Sequence, residues 1–287
     1  MHQVNELATC LSRVSVAKAW DVERAFDWPE RLDPGRWCMS PELLSLYGTE
    51  LWDGLSEPQR RELSFYEVVN FFSLVLQGER PLVQGLAQRL YSRHASAEIT
   101  GYLHHFIDEE NKHMAMFGRF CTRYAGKIYP DKKIALEQDY APGEEEVVFF
   151  CKVLVVEELG DFYNRRMLRD TRIEPIVREL NRVHHQDEAR HLAFGRAHLR
   201  ELFQRWSPPW PPHTLKELRE WLCDYLRVSW GDFYNPMMYA DAGFADAFEV
   251  RRAALAAPVC VAHRRLASAR LVKLLTTFGI LEQEPGL

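Results

Sequence analysis

The sequence predicts an all-α protein: a four-helix bundle with an irregular N-terminal segment and a C-terminal helical extension. Three observations predict it. Four long stretches between Glu62 and Trp206 read as helices, with short, long and short connectors in turn. The run HHQDEARH puts His184, Glu188 and His191 at i, i+4 and i+7, on one helix face. Glu110 and His113 repeat the Glu-x-x-His spacing one hairpin earlier.

Each element has its own signal. Residues 1–60 read as irregular, with Pro29, Pro34, Pro41 and Pro58 punctuating short helical pieces. From Glu62 to about residue 93 an apolar-faced helix is expected, and a junction near residues 94–97 leads into a second, ending near Ala125. The stretch from Gly126 to Gly143 is long, polar and proline-marked. A third helix, from Glu144 to about Leu168, opens on Glu144, Glu145 and Glu146, which suit the positive end of a helix dipole. A turn near Asp170–Glu174 leads to the fourth, which stops before SPPWPP at 207–212. Two antiparallel hairpins joined by one long connection are the ferritin-like arrangement of a bundle. Residues 214 to about 278 read as two further helices flanking an aromatic loop near Tyr234–Phe244. With no clear linker, one domain over 1–287 is expected, its core at about 62–206.

Bulk properties narrow the functional classes. The chain has 287 residues, enough for a sizeable core, and its 47% hydrophobic and 27% charged content is that of a globular protein. A formal charge of −5 argues against a nucleic-acid partner. The six cysteines form no Cys-x-x-Cys pair, which favours reduced thiols in a cytoplasmic protein. The longest apolar run, Val147–Val156, is short and interrupted by Lys152, so no membrane span is expected.

Hairpin geometry makes the acidic residues converge. Across a turn centred near Ala95, Glu79 lies 16 residues before and Glu110 lies 15 after. Across one centred near Arg172, Glu157 lies 15 before and Glu188 lies 16 after. At about 1.5 Å per residue each pair is level to within a few ångströms, whereas Glu67 would miss Glu110 by roughly 20 Å. Glu157 is preferred over its neighbour Glu158 because Asp161 extends its stripe. A Glu amid Phe71, Phe72, Phe117, Phe149 and Phe150 is a costly buried charge unless a cation accompanies it. Four carboxylates balance two divalent ions, and imidazole plus carboxylate suits iron, manganese or zinc. Glu109 and Asp187 are placed to hydrogen-bond the outer nitrogens of His191 and His113, with exposure to solvent as the alternative. Lys152 and Arg190 are the basic residues expected near this cluster.

The chain resembles the p-aminobenzoate N-oxygenase family. Glu79, the Glu110/His113 pair, Glu157, and His184 with Glu188 and His191 match its seven-ligand pattern over roughly residues 65–205. His184 carries the distinction, since other ferritin-like di-iron proteins use four carboxylates and two histidines. The resemblance implies two iron ions, O2 as co-substrate, and transfer of oxygen to an amine nitrogen, giving hydroxylamine, nitroso or nitro products in natural-product biosynthesis. The amine would be a small molecule or carrier-bound, and a homodimer is the expected assembly. No Gly-rich nucleotide fingerprint is present, so electrons are expected from an external donor or the substrate. The alternatives are a di-iron hydroxylase or desaturase acting on C–H bonds of an acyl or carrier-bound substrate, and a non-catalytic iron- or O2-binding protein. A carrier-bound substrate would call on a basic patch such as Arg165, Arg166 and Arg169.

Overall fold

A computed structural model describes residues 2–92, 95–130 and 140–287. The junction residues 93–94 and residues 131–139 of the long connection lie outside the described residues. Among the described residues there are helices and no strand, only one isolated bridge between Trp37 and Ile173.

The bundle is α3 (Glu57–Arg89), α4 (Ala97–Phe120), α5 (Glu144–Met167) and α6 (Pro175–Trp206). Their ends follow from local chemistry. Gln59 accepts a hydrogen bond from the Ser56 N–H at the start of α3, and the Ser96 hydroxyl accepts one from Ile99 N–H at the start of α4. Pro175 begins α6, where its missing N–H removes no helical bond. Gly143 precedes α5 at φ 75°, and a Cβ there would lie 2.2 Å from the Trp206 ring, so both backbone and space demand glycine. α3 pairs with α4 and α5 with α6 as two hairpins. Pro81 does not end α3, which runs on for two further turns beyond it.

The first residues differ from the irregular segment the prolines suggested. α1 (His2–Ala17) is a continuous helix lying across α4 and α6, burying Val4, Ala8, Leu11 and Ser15. These positions recur every three or four residues, and the first proline comes only at 29, so the punctuation that signalled irregularity applies beyond Ala17. From Lys18 onward the chain is loop, with a short 3-10 turn at Pro41–Leu43 and α2 (Glu50–Asp53).

The C-terminal extension holds four helices rather than two: α7 (Pro212–Phe233), α8 (Pro236–Asp241), α9 (Ala247–Ala256) and α10 (Pro258–Thr277). Pro258 explains the last break, because it drives Ala257 into extended backbone at φ −64°, ψ 129°. α7 and α8 pack on α3, and α7 and α10 pack on α5. The bundle is thus covered on its α4–α6 side by α1 and on its α3–α5 side by the extension. That double cover takes the middle of the bundle out of water.

Candidate metal centre

At mid-height the four bundle helices turn four carboxylates and three imidazoles toward one another. Glu79 comes from α3, Glu110 and His113 from α4, Glu157 from α5, and His184, Glu188 and His191 from α6. All seven are at most 4% exposed, and Glu110, His113, Glu188 and His191 have no exposure at all. They fall into two groups, Glu79–His113–His184–Glu188 and Glu110–Glu157–Glu188–His191, and within each group one ligand atom per residue lies within 4.8 Å of the others. Glu188 belongs to both groups. The helix-four spacing places it between its two histidines, one turn from each.

Several polar atoms here lack hydrogen-bond partners: both oxygens of Glu79, one oxygen each of Glu110, Glu157 and Glu188, and Nε2 of His184. They sit close together without the geometry of mutual hydrogen bonds. His184 Nε2 is 3.0 Å from Glu188 Oε1, and His191 Nδ1 is 2.8 Å from Glu110 Oε1. Buried polar atoms left unpaired are costly. Lone pairs aimed at common points are what a cation requires, and the donor set fits two of them.

The electrostatics lead to the same conclusion. Burial, reinforced by the charge of Glu110, pushes the Glu79 carboxyl up to about 8. Burial and the charges of Glu188 and Glu110 hold Glu157 well above the carboxylate range. Burial and the charge of Glu188 act in the same direction on Glu110, but the His191 and His113 imidazoles outweigh them and hold it below its ordinary value. Without cations the cluster therefore retains protons on some carboxyls and imidazoles. Divalent ions would displace those protons, so metal uptake is coupled to proton release.

The outer nitrogens of the histidines are fixed. His113 Nε2 lies 3.1 Å from Asp187 Oδ2, and His191 Nε2 lies 2.8 Å from Glu109 Oε2, which is the pairing expected from sequence rather than solvent exposure. Both carboxylates are bridged by Arg190, at 2.5 Å from each. Each His thus presents Nδ1 to the cluster. His184 presents Nε2, and its Nδ1 lies 2.7 Å from the Asn164 amide. A ligating Nε2 needs its proton on Nδ1, so Asn164 must then offer its oxygen, the atom otherwise without a partner.

Of the adjacent pair on α5, Glu157 faces the cluster while Glu158 pairs with Arg196 (Nε to Oε1 2.7 Å) and Arg270. Glu67, as expected, is elsewhere, accepting hydrogen bonds from Ser45. Phe117 stands edge-on to His184 at 5.0 Å and Phe72 stacks on Phe117 at 4.4 Å. Phe71 instead stacks on Tyr163, and Phe149 lies under the Arg89 guanidinium. Lys152 is not at the cluster either, since its ammonium sits over Trp221 on the extension. Of the arginines considered for a basic mouth, Arg165 pairs with Asp161 and Arg166 lies on the Phe162 ring. Three residues escaped the sequence reading. Asn164 carried a faint signal, seven residues after Glu157 on the same face. Phe106, stacked on His191 at 3.9 Å, and Trp20, from the N-terminal loop, carried none.

A buried cluster of four carboxylates and three imidazoles inside a helical bundle defines a dinuclear metal–carboxylate protein. The particular family follows from comparison: this chain belongs to the p-aminobenzoate N-oxygenase AurF family, whose sequence profile matches residues 1–279. That is a family of di-metal oxygenases, and the chain is accordingly an oxidoreductase. It is 24% identical over 259 residues to an uncharacterized protein of Mycobacterium tuberculosis, covering 86% of this chain and 73% of that one, and equally to one of Mycobacterium bovis. Among solved structures it is similar to an R2-like ligand-binding oxidase variant with a non-activated Mn/Mn cofactor, at TM-score 0.46 and 13% identity over 92% of each chain. Among the described residues no helix is long and apolar enough to cross a membrane.

Proposed function

We propose that this protein is an O2-dependent di-iron N-oxygenase that oxidises an amine to a hydroxylamine, nitroso or nitro compound in natural-product biosynthesis. The observation that carries the proposal is the buried seven-residue cluster with its third histidine, His184. Glu79, His113 and His184 would hold one iron, Glu110, Glu157 and His191 the other, and Glu188 would lie between them. The irons would supply reduction of O2 and delivery of oxygen to nitrogen.

The chain's own part is placement and exclusion. Glu109, Asp187 and Asn164 hold the three imidazoles in position from behind. Phe72, Phe106 and Phe117 wall the cluster with apolar surface and keep water away from the reacting atoms. Four carboxylates against three neutral imidazoles favour divalent ions over monovalent ones. A neutral third imidazole adds donor strength without adding charge, which we assign to oxidising nitrogen rather than breaking C–H bonds. A small cleft between α3, α5 and the extension is lined by Phe71, Tyr163, Phe233 and Tyr234 together with Glu67.

The test is anaerobic loading with Fe(II), addition of O2, and a panel of arylamines, aliphatic amines and amino acids, read by product mass. Amines carrying added oxygen on nitrogen are expected. Products hydroxylated or desaturated at carbon with the amine intact would replace this reading by the C–H one, and iron uptake with no product from any amine would favour a binding protein.

A further inference from the structure

The metal ligands are buried and the sequence has no nucleotide fingerprint, so electrons that come from an external donor rather than the substrate have to pass through the chain's own side chains. The three histidines offer three hydrogen-bonded ways out of the cluster. Behind His184 stands the Asn164 amide, and behind His191 stands Glu109, held by Arg190. The first stops at Asn164, and the second reaches an indole only by the longer way through Arg190 and Asp187. Behind His113 stands Asp187, whose Oδ2 also accepts a hydrogen bond from the indole N–H of Trp20 at 2.8 Å. The Trp20 ring lies 18° from the plane of His113 with centroids 6.3 Å apart, and its side chain is half-buried in the loop after α1.

We propose that Trp20 is the port through which an external one-electron carrier, such as an iron–sulfur protein, reduces the metal pair, with Asp187 and His113 as the bridge. This rests on the di-iron reading above. The connection is short: two hydrogen bonds, of 2.8 and 3.1 Å, link the half-buried indole to a metal-facing imidazole. Indole is hard to oxidise, so it serves as a tunnelling bridge and holds no charge of its own. Each transfer oxidises one carrier by one electron and lowers the charge of one metal ion by one. Two transfers prepare the pair for O2. No covalent bond forms or breaks, and Trp20 and His113 keep their protons. The Lys112 ammonium lies 5.8 Å from the Trp20 ring centroid and is paired with Asp108, so the port has a cation at its rim.

The experiment uses the full chain loaded with iron and oxidised, mixed anaerobically with methyl viologen radical cation in a stopped-flow instrument. Loss of the viologen colour gives both rate and electron count. Trp20→Phe keeps most of the packing and deletes the N–H. It should slow reduction by roughly tenfold or more, with iron content, unfolding midpoint and final electron count unchanged. Trp28→Phe is the control. Trp28 is linked to Trp20 only through edge contacts with Phe26, and its variant should reduce at the wild-type rate. Should Trp20→Phe fold poorly, Asp187→Asn interrupts the same bridge from its other end and should slow reduction likewise. A fully iron-loaded Trp20→Phe variant reduced at the wild-type rate would overturn the port while leaving the di-iron reading intact. So would equal slowing by Trp28→Phe. A wild-type chain that takes up no iron would defeat both.

Discussion

Replacing Glu67 by Gln should change how stability depends on pH. The Glu67 carboxyl is buried in α3, away from the metal cluster, and accepts hydrogen bonds from Ser45 N–H at 2.9 Å and Ser45 Oγ at 2.6 Å. Desolvation outweighs those bonds and raises it from 4.5 to about 8. Between those two values the folded chain holds a proton that the unfolded chain releases. Stability from this group therefore falls as pH rises from 4.5 toward 8 and levels off above it. At about 1.4 kcal/mol per pH unit the whole span is worth ~5 kcal/mol, and about 3 kcal/mol of it lies between pH 5.5 and 8. The substituted amide would keep an acceptor for Ser45 and cannot ionise. Urea unfolding of wild type and Glu67→Gln at a series of pH values checks this. The wild type should lose about 3 kcal/mol relative to the variant between pH 5.5 and 8. A stability difference that stays constant across that range would refute the reasoning.

Other outcomes follow from the packing and from the residues behind the histidines. Gly85→Ala would bring a Cβ to 2.1 Å from Phe149, in a ring held under Arg89, and should cost about 1–3 kcal/mol by denaturant unfolding. No change in midpoint would mean that Phe149 is free to move. Asn164→Leu keeps the size of the side chain but removes the amide behind His184. Iron affinity by competitive chelation should fall roughly 10- to 100-fold, with the helical signal unchanged. Glu109→Gln weakens the support behind His191 and should lower iron affinity over the same range of about 10- to 100-fold. Wild-type affinity in both variants would show that the histidines need no such support.

Much of this architecture is legible in the residues alone, for identifiable reasons. Periodicity marked α3 to α6 because each is long and buries a face. Equal distances from two turns brought Glu79 level with Glu110 and Glu157 level with Glu188, and all four do face the same interior. The pairing of Glu109 with His191 and Asp187 with His113 was also readable, since each acid precedes a ligand-type Glu and so points to the neighbouring helix. What was missed depends on approach rather than pattern. α1 was hidden by prolines that all follow it, although Val4, Ala8, Leu11 and Ser15 share one face. The last helix was drawn too long because the extended conformation forced on Ala257 by Pro258 was not weighed. Trp20 lies in a loop, where no spacing rule connects it to Asp187, 167 positions away.

The central claim is that Glu79, Glu110, His113, Glu157, His184, Glu188 and His191 together hold two metal ions. Elemental analysis of the purified chain after anaerobic iron loading and desalting tests it most directly, with Glu188→Ala measured alongside. Because Glu188 faces both groups, wild type should retain two irons per chain and the variant should lose most of both while remaining helical. Folded wild-type protein that retains no iron, or a Glu188→Ala variant that keeps the full complement, would contradict the claim.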